Sequence, residues 1–298
     1  MMEGKKLLKR LKNEYIGKGF SYFCGGLIIL ITLSIIFFLV SKGILTFTKD
    51  KYNILEFLFN TKWSPNKDSG NFGALIFIIG STLVSLGAIL LSGPIAISLA
   101  IFMNIISPKI GKKILQPVLE IFAGIPSVVY GWVGVSLLVP LIKNYFGGLG
   151  FSLLSAIIVL SIMILPTIAT ISSDAIKALP KEYKEASYGL GATRWQTIYK
   201  VIIPAAKNGI LTAVVLGIAR AFGEALAVQM VIGNTLRLPK GLLSPTSTLT
   251  SILTMDMANT VFGSKWNNSL WSLALILLLI SFMFILIIKK IGSRGELN

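Results

Sequence analysis

Five stretches of this chain run without a single charged residue for long enough to cross a bilayer: 19–41, 69–108, 121–142, 144–173 and 266–288. A membrane-spanning helix needs about 20 apolar residues, because hydrocarbon offers no partner to a backbone N–H or C=O. A sixth apolar segment, 209–235, carries Arg220 and Glu224 near its middle. The stretch 69–108 is long for one helix and too short for two spans with a turn. It is expected as one helix over about 75–103, bent near Gly93-Pro94. The pattern therefore predicts an all-α integral membrane protein with six transmembrane helices. Composition agrees, at 54% hydrophobic and 13% charged residues, about half the charge of a soluble domain.

The basic residues fix an orientation. Segments 1–18, 104–113, 174–207 and 289–298 hold 18 Lys or Arg, against 9 in 42–68, at 143 and in 236–265. The positive-inside bias then places both termini and the loop 174–207 in the cytoplasm. The Trp63-Pro65 loop and the Ser/Thr-rich stretch around 244–254 fall outside. The formal net charge of +16 is better explained by anionic membrane lipid than by nucleic acid, because the cations lie in short clusters between apolar runs. Lys5, Lys6, Lys9, Arg10, Lys12 and Lys18 precede the first apolar run as they would in a signal peptide. However, that run spans a full bilayer and no A-x-A pattern follows, so it reads as a first transmembrane helix.

Several chemistries are excluded. The chain has no His and one Cys, Cys24, so neither an internal disulfide nor a His-based hydrolase triad can form, and no metal set is apparent. A phosphate-cradling Walker loop needs Gly-Lys followed by Ser or Thr. Gly4-Lys5, Gly17-Lys18 and Gly111-Lys112 all lack it. The chain is expected to bind no cofactor and to be no enzyme.

The loop 174–207 is richer than a connector needs to be. Pro180 can open a helix over Lys181 to Leu190 that ends at Gly191. Thr193 and Gln196 form a T-x-x-Q capping box that opens a second helix, Arg194 to about Ile203. Two helices lying on the bilayer surface would satisfy this pattern. A sharper reading comes from Glu185-Ala186-Ser187, three residues, Gly191, nine residues, then Val201-x-Ile203-Pro204. This spacing resembles the EAA signature of the permease subunits of ABC importers.

The resemblance narrows to phosphate permeases of the PstC type. Trp63-x-Pro65, Phe72-Gly73, Gly80-Ser81-Thr82-Leu83, Ala123-Gly124-Ile125-Pro126-Ser127-Val128-Val129-Tyr130-Gly131, Met163-Ile164-Leu165-Pro166, Arg220-Ala221-Phe222-Gly223-Glu224-Ala225 and Ala227–Asn234 carry it. Ala225 departs from the family's usual Thr. The resemblance implies a type I ABC importer permease fold and a role in phosphate uptake. It also implies a PstA-like second permease in a heterodimer, two PstB-like ATP-binding subunits that use ATP and Mg, and a PstS-like extracytoplasmic phosphate-binding protein. The permease domain is expected at 72–288, after a cytoplasmic segment 1–18, a first helix 19–41 and an outer loop 42–71, with a tail 289–298 behind it. Glu185, Ala186, Ser187, Gly191 and Pro204 would form the ATPase-coupling loop.

Arg220 and Glu224 stand four apart, which on a continuous helix puts them on one face. They are expected either as a self-neutralising pair or as a substrate path, with the guanidinium as a donor fork toward an oxyanion. Glu120 is expected to pair with a nearby Lys, and Gln229 and Asn234 to bond between helices. Gly217, Ala221 and Ala225, and likewise Ala219, Gly223 and Ala227, are small-residue stripes suited to close packing. A permease for sulfate or molybdate, or more remotely an ion channel, is compatible with the same residues.

Overall fold

The computed structural model describes residues 2–65 and 70–293. The end of the expected tail, 294–298, lies outside them. The first helix, α1 (Met2–Gly43), is followed by the short α2 (Leu45–Thr48) and α3 (Ile54–Phe59) and a hairpin of β1 (Trp63–Ser64) and β2 (Asn71–Phe72). Next come α4 (Leu75–Ile101), α5 (Pro108–Ile110), α6 (Gln116–Gly124), α7 (Ser127–Val133) and α8 (Val139–Phe146). The long α9 (Leu153–Lys177) leads to α10 (Lys181–Gly189), α11 (Arg194–Thr197) and α12 (Ile203–Ala205). The chain closes with α13 (Lys207–Gly223), α14 (Leu226–Ile232), α15 (Leu249–Asp256) and α16 (Lys265–Ser293).

Five helical segments are long and apolar enough to cross a membrane: Gly17–Thr48, Leu75–Ile106, Ser127–Phe146, Leu153–Lys177 and Lys265–Lys290. The sixth expected segment, 209–235, is not one helix: α13 ends at Gly223 and α14 starts at Leu226, and α13 is long enough to count as a span only together with the bent helix that precedes it. Residues Arg194–Ala205 and Lys207–Gly223 meet at 69°, and α13 alone reaches only about 25 Å at 1.5 Å per residue. The third span starts at Ser127, six residues later than 121. Ile125 and Pro126 are extended (ψ 128° and 141°) and stop α6.

Wide i→i+5 turns occupy 102–106, 111–115, 134–138 and 198–202. Each ends two residues before a proline: Pro108, Pro117, Pro140 and Pro204. A proline lacks the N–H that would close the preceding turn, and its ring pushes the carbonyl four residues back aside. The widened turn rehouses that carbonyl.

Helix α9 sits at the centre, packed between α4 and α13. Its Leu160, Ile164 and Ile168 are fully buried. Gly217 makes one close approach possible, since a Cβ there would lie 2.7 Å from the Ile168 side chain. Of the two small-residue stripes, the one through Gly217 and Ala221 is buried, whereas Gly223 in the other is exposed with open space at its Cα. At the opposite end from the α10–α12 loop, Phe57, Trp63, Phe72 and Phe77 form an aromatic cluster with ring centroids 5.2 to 5.9 Å apart for Trp63 with Phe77 and Phe72. The Ser/Thr stretch does not stand out as a loop. Thr246, Ser247, Thr248 and Ser251 are buried, folded back against α4. The Ser81 hydroxyl there accepts the Leu249 N–H at 2.8 Å.

Candidate functional site

The apolar segment that carries two charges is not one helix. Glu224 has extended backbone (φ −75°, ψ 128°), which ends α13 at Gly223, and α14 begins at Leu226. The charges suit the two ends they occupy. Arg220 lies in the last turn of α13, where carbonyls point outward and favour a cation. The Glu224 Oε1 accepts the Ala227 N–H at 3.2 Å, capping the first turn of α14. The expected i,i+4 arrangement is therefore absent, and among the described residues no ion pair joins Arg220 to Glu224. Instead, Arg220 Nη1 donates to Thr167 Oγ1 at 2.7 Å, one residue after Pro166 in α9.

A second break faces the first. The Tyr130 hydroxyl donates to the Phe122 carbonyl at 2.7 Å, spanning the gap between α6 and α7. Gly131 brings the two half-helices α7 and α14 together, since a Cβ there would lie 3.0 Å from Ala227 Cα and 2.6 Å from Met230 Sδ. Both interruptions, with Arg220, Thr167 and Tyr130, thus gather around the centre of the bundle. Arg220, Thr167, Tyr130 and Glu224 are all only partly buried. The guanidinium keeps N–H donors beyond the one given to Thr167, and pH cannot remove its charge. Such a group can meet an oxyanion while a hydroxyl holds it in place.

The other polar residues of these segments have structural partners. Glu120 accepts from Gln116 Nε2 at 3.2 Å, and not from a lysine as expected. Gln229 accepts the Thr254 hydroxyl at 2.6 Å, a bond between elements. Asn234, at φ +45°, donates from Nδ2 to the Gln229 carbonyl at 2.9 Å and so caps α14.

The displayed loop forms as the sequence indicates, with the reciprocal capping box of Thr193 and Gln196 present. Gly191 is left-handed (φ +78°) with open space where a Cβ would be, so its requirement is conformational. Ser187 is buried and shares a 2.9 Å hydrogen bond with Thr197, locking α10 onto α11. Glu185 and Ala186 face solvent, as do Tyr183, Leu190, Trp195 and Tyr199. Pro204 is exposed, next to the 69° bend.

Sequence reasoning missed two residues of weight. Thr167 directly follows the Met163–Pro166 motif, and only a neighbouring cation reveals its role. Arg194 donates to the Ile106 carbonyl at 2.6 Å and also to that of Ile105, fastening the loop to the end of the second span. A basic residue just inside a capping box would have been the signal.

Comparison with known proteins places these features. Residues 94–294 match the family described as binding-protein-dependent transport system inner membrane component. The chain is 50% identical over 288 residues to a probable ABC transporter permease protein, YqgH, of Bacillus subtilis, covering 96% of this chain and 93% of that one. It is 34% identical to the phosphate transport system permease protein PstC of Pasteurella multocida, covering 81% and 80%. It is 31% identical to a probable PstC of Methanocaldococcus jannaschii, covering 98% and 95%. In fold it resembles a bacterial ABC transporter that imports the acidic polysaccharide alginate (TM-score 0.59, 16% identity, 97% and 99% covered). It also resembles the MetNI methionine ABC transporter (TM-score 0.56, 17% identity, 74% and 94% covered).

Proposed function

Given that the chain belongs to the family of binding-protein-dependent transport system inner membrane components, we propose that it is the phosphate-conducting permease subunit of an ABC importer. Membership carries the general scheme: a multi-pass membrane protein of type I importer fold, with substrate binding and ATP hydrolysis supplied by other subunits. Inorganic phosphate as the cargo is the step beyond. It is supported by the PstC-named relatives, while the name of the 50% identical relative states no cargo.

The observation that carries the reading is Arg220, a permanent cation half-buried between two broken helices and steadied by Thr167. An oxyanion in a low-dielectric path needs such a compensating charge. Broken helices line the sites of other membrane transporters for the same reason. By the same reading, both termini and the α10–α12 loop face the cytoplasm, and α10 docks on a PstB-like ATPase through Glu185, Ala186 and Gly191. A PstA-like permease completes the path, and a PstS-like protein delivers phosphate from outside. ATP and Mg belong to the ATPase.

The test of cargo is labelled-phosphate uptake by the reconstituted complex in the presence of excess sulfate or molybdate. Uptake unaffected by either, and abolished by unlabelled phosphate, is expected. Competition by sulfate or molybdate at comparable concentration would assign the permease to another oxyanion.

A further inference from the structure

At the end of the molecule that bears the α10–α12 loop, but distinct from it, lies a cavity of about 370 Å³ lined by Lys112, Lys177, Gln116 and Asn104 among others. Its floor depends on a close crossing: Gly111 is buried, and a Cβ there would lie 2.4 Å from the Met103 carbonyl oxygen. The polar groups are already arranged. Lys177 Nζ lies 3.5 Å from Gln116 Oε1 and 3.6 Å from Asp174 Oδ1. Gln116 Nε2 in turn donates to Glu120. Asn104 is held by Ser173 Oγ at 2.8 Å. Lys112 has no hydrogen bond or ion pair among the described residues.

Two lysines, Lys112 and Lys177, thus line the concavity and no carboxylate does so among the described residues, while Lys109 and Lys113 stand beside it in the chain, outside the lining. Along the same run, 108–124, Ile110, Ile114, Val118 and Ile121 are all exposed, and Val118 and Ile121 share one face of α6. A cationic pocket joined to an apolar strip matches a molecule with an anionic head and a hydrocarbon body. Basic pockets between helices at a membrane boundary are suited to such headgroups.

We propose that this pocket binds a phosphate oxyanion supplied by the headgroup of an anionic membrane phospholipid. Lys112 and Lys177 take the phosphate, and the Ile110–Ile121 strip takes the acyl chains. A free phosphate ion shares the charge but has no use for the strip.

The test is mass spectrometry of the intact transporter complex purified in mild detergent with phosphatidylglycerol and phosphatidylethanolamine present. Preferential retention of phosphatidylglycerol is expected. Lys112→Gln with Lys177→Gln should reduce it by about tenfold or more, while Lys109→Gln with Lys113→Gln, an equal change of charge outside the lining, should retain most of it. Equal loss in both pairs, or loss in neither, overturns the proposal. If the first pair fails to assemble, Gln116→Glu serves in its place, with the same loss expected. To separate the two phosphate sources, amine modification of Lys112 is followed in phosphatidylcholine discs. Added phosphatidylglycerol should slow it and millimolar inorganic phosphate should not. Protection by inorganic phosphate alone would make the pocket a free-anion site and end the lipid reading.

Discussion

The Arg220 guanidinium donates to the Thr167 hydroxyl at 2.7 Å, and this bond ties α13 to α9 at the point where α13 ends. Glu224 takes no part in it. Thr167→Val should therefore disturb Arg220 more than Glu224→Gln does. A hydrogen bond to a charged group contributes about 1.5–3 kcal/mol, so Thr167→Val should cut uptake several-fold at constant expression. Glu224→Gln keeps an oxygen to accept the Ala227 N–H and should leave complex assembly intact. Thermal stability and uptake of the two variants, measured side by side, check this. Greater damage from Glu224→Gln on both counts would contradict it.

Gly191 is needed for its backbone conformation and not for space. A residue with a Cβ in the left-handed region costs about 1–2 kcal/mol, or about tenfold in the fraction of correctly folded loops. Gly191→Val should weaken coupling to the ATPase strongly and Gly191→Asn mildly, because Asn tolerates that conformation. The ratio of ATP hydrolysed to substrate transported reports it. Equal behaviour of Val and Asn would mean that the side chain itself meets the partner.

Gly80 admits the folded-back Ser/Thr stretch. A Cβ there would lie 2.1 Å from the Ser247 carbonyl oxygen, and overpacking of this kind costs about 1–3 kcal/mol. Gly80→Ala should lower the melting temperature of the purified complex, whereas Gly93→Ala, facing open space, should not do so through a clash. A Gly80→Ala protein as stable as wild type would remove the stretch from its buried position.

Asp256 faces the indole N–H groups of Trp63 and Trp266, and burial pushes its carboxyl above the usual carboxylate range, with the two indoles partly opposing. Both indole N–H groups are buried and make no well-formed hydrogen bond among the described residues. A carboxyl with a raised folded-state pKa contributes stability below its unfolded pKa and loses it as pH rises through the folded value. Wild type should therefore gain stability relative to Asp256→Asn as pH falls from about 7 to about 4.5. A melting-temperature difference that stays constant over that range would show that Asp256 is not strained by its burial.

Much of this architecture was legible because a lipid solvent leaves the backbone little freedom. Uncharged runs marked five spans, whereas the widened turns before Pro108, Pro117, Pro140 and Pro204 emerged only in the structure. The Thr193–Gln196 box and Gly191 set the displayed loop before any coordinates were needed. The candidate path was less legible. Arg220 and Glu224 at i,i+4 read as neighbours on one helix, yet the backbone breaks at Glu224 and leaves each side chain at a helix end. Thr167 comes to Arg220 from a distant segment, which no local spacing records. The stretch 244–254 was expected only to lie outside, because nothing in its own residues shows that Ser81 and Gly80 on another helix accommodate it.

The central claim is that Arg220 supplies the charge for a phosphate path, and ATP-driven uptake of labelled phosphate tests it most directly. Arg220→Met, Arg220→Lys and wild type are compared in proteoliposomes at equal amounts of assembled complex. Arg220→Met removes the only charge in its segment apart from Glu224, and Arg220→Lys keeps the charge but loses the planar fork. The account predicts no uptake for Arg220→Met and partial uptake for Arg220→Lys, with both complexes intact. Wild-type uptake by a fully assembled Arg220→Met complex would contradict it and leave Arg220 as a structural cap on α13.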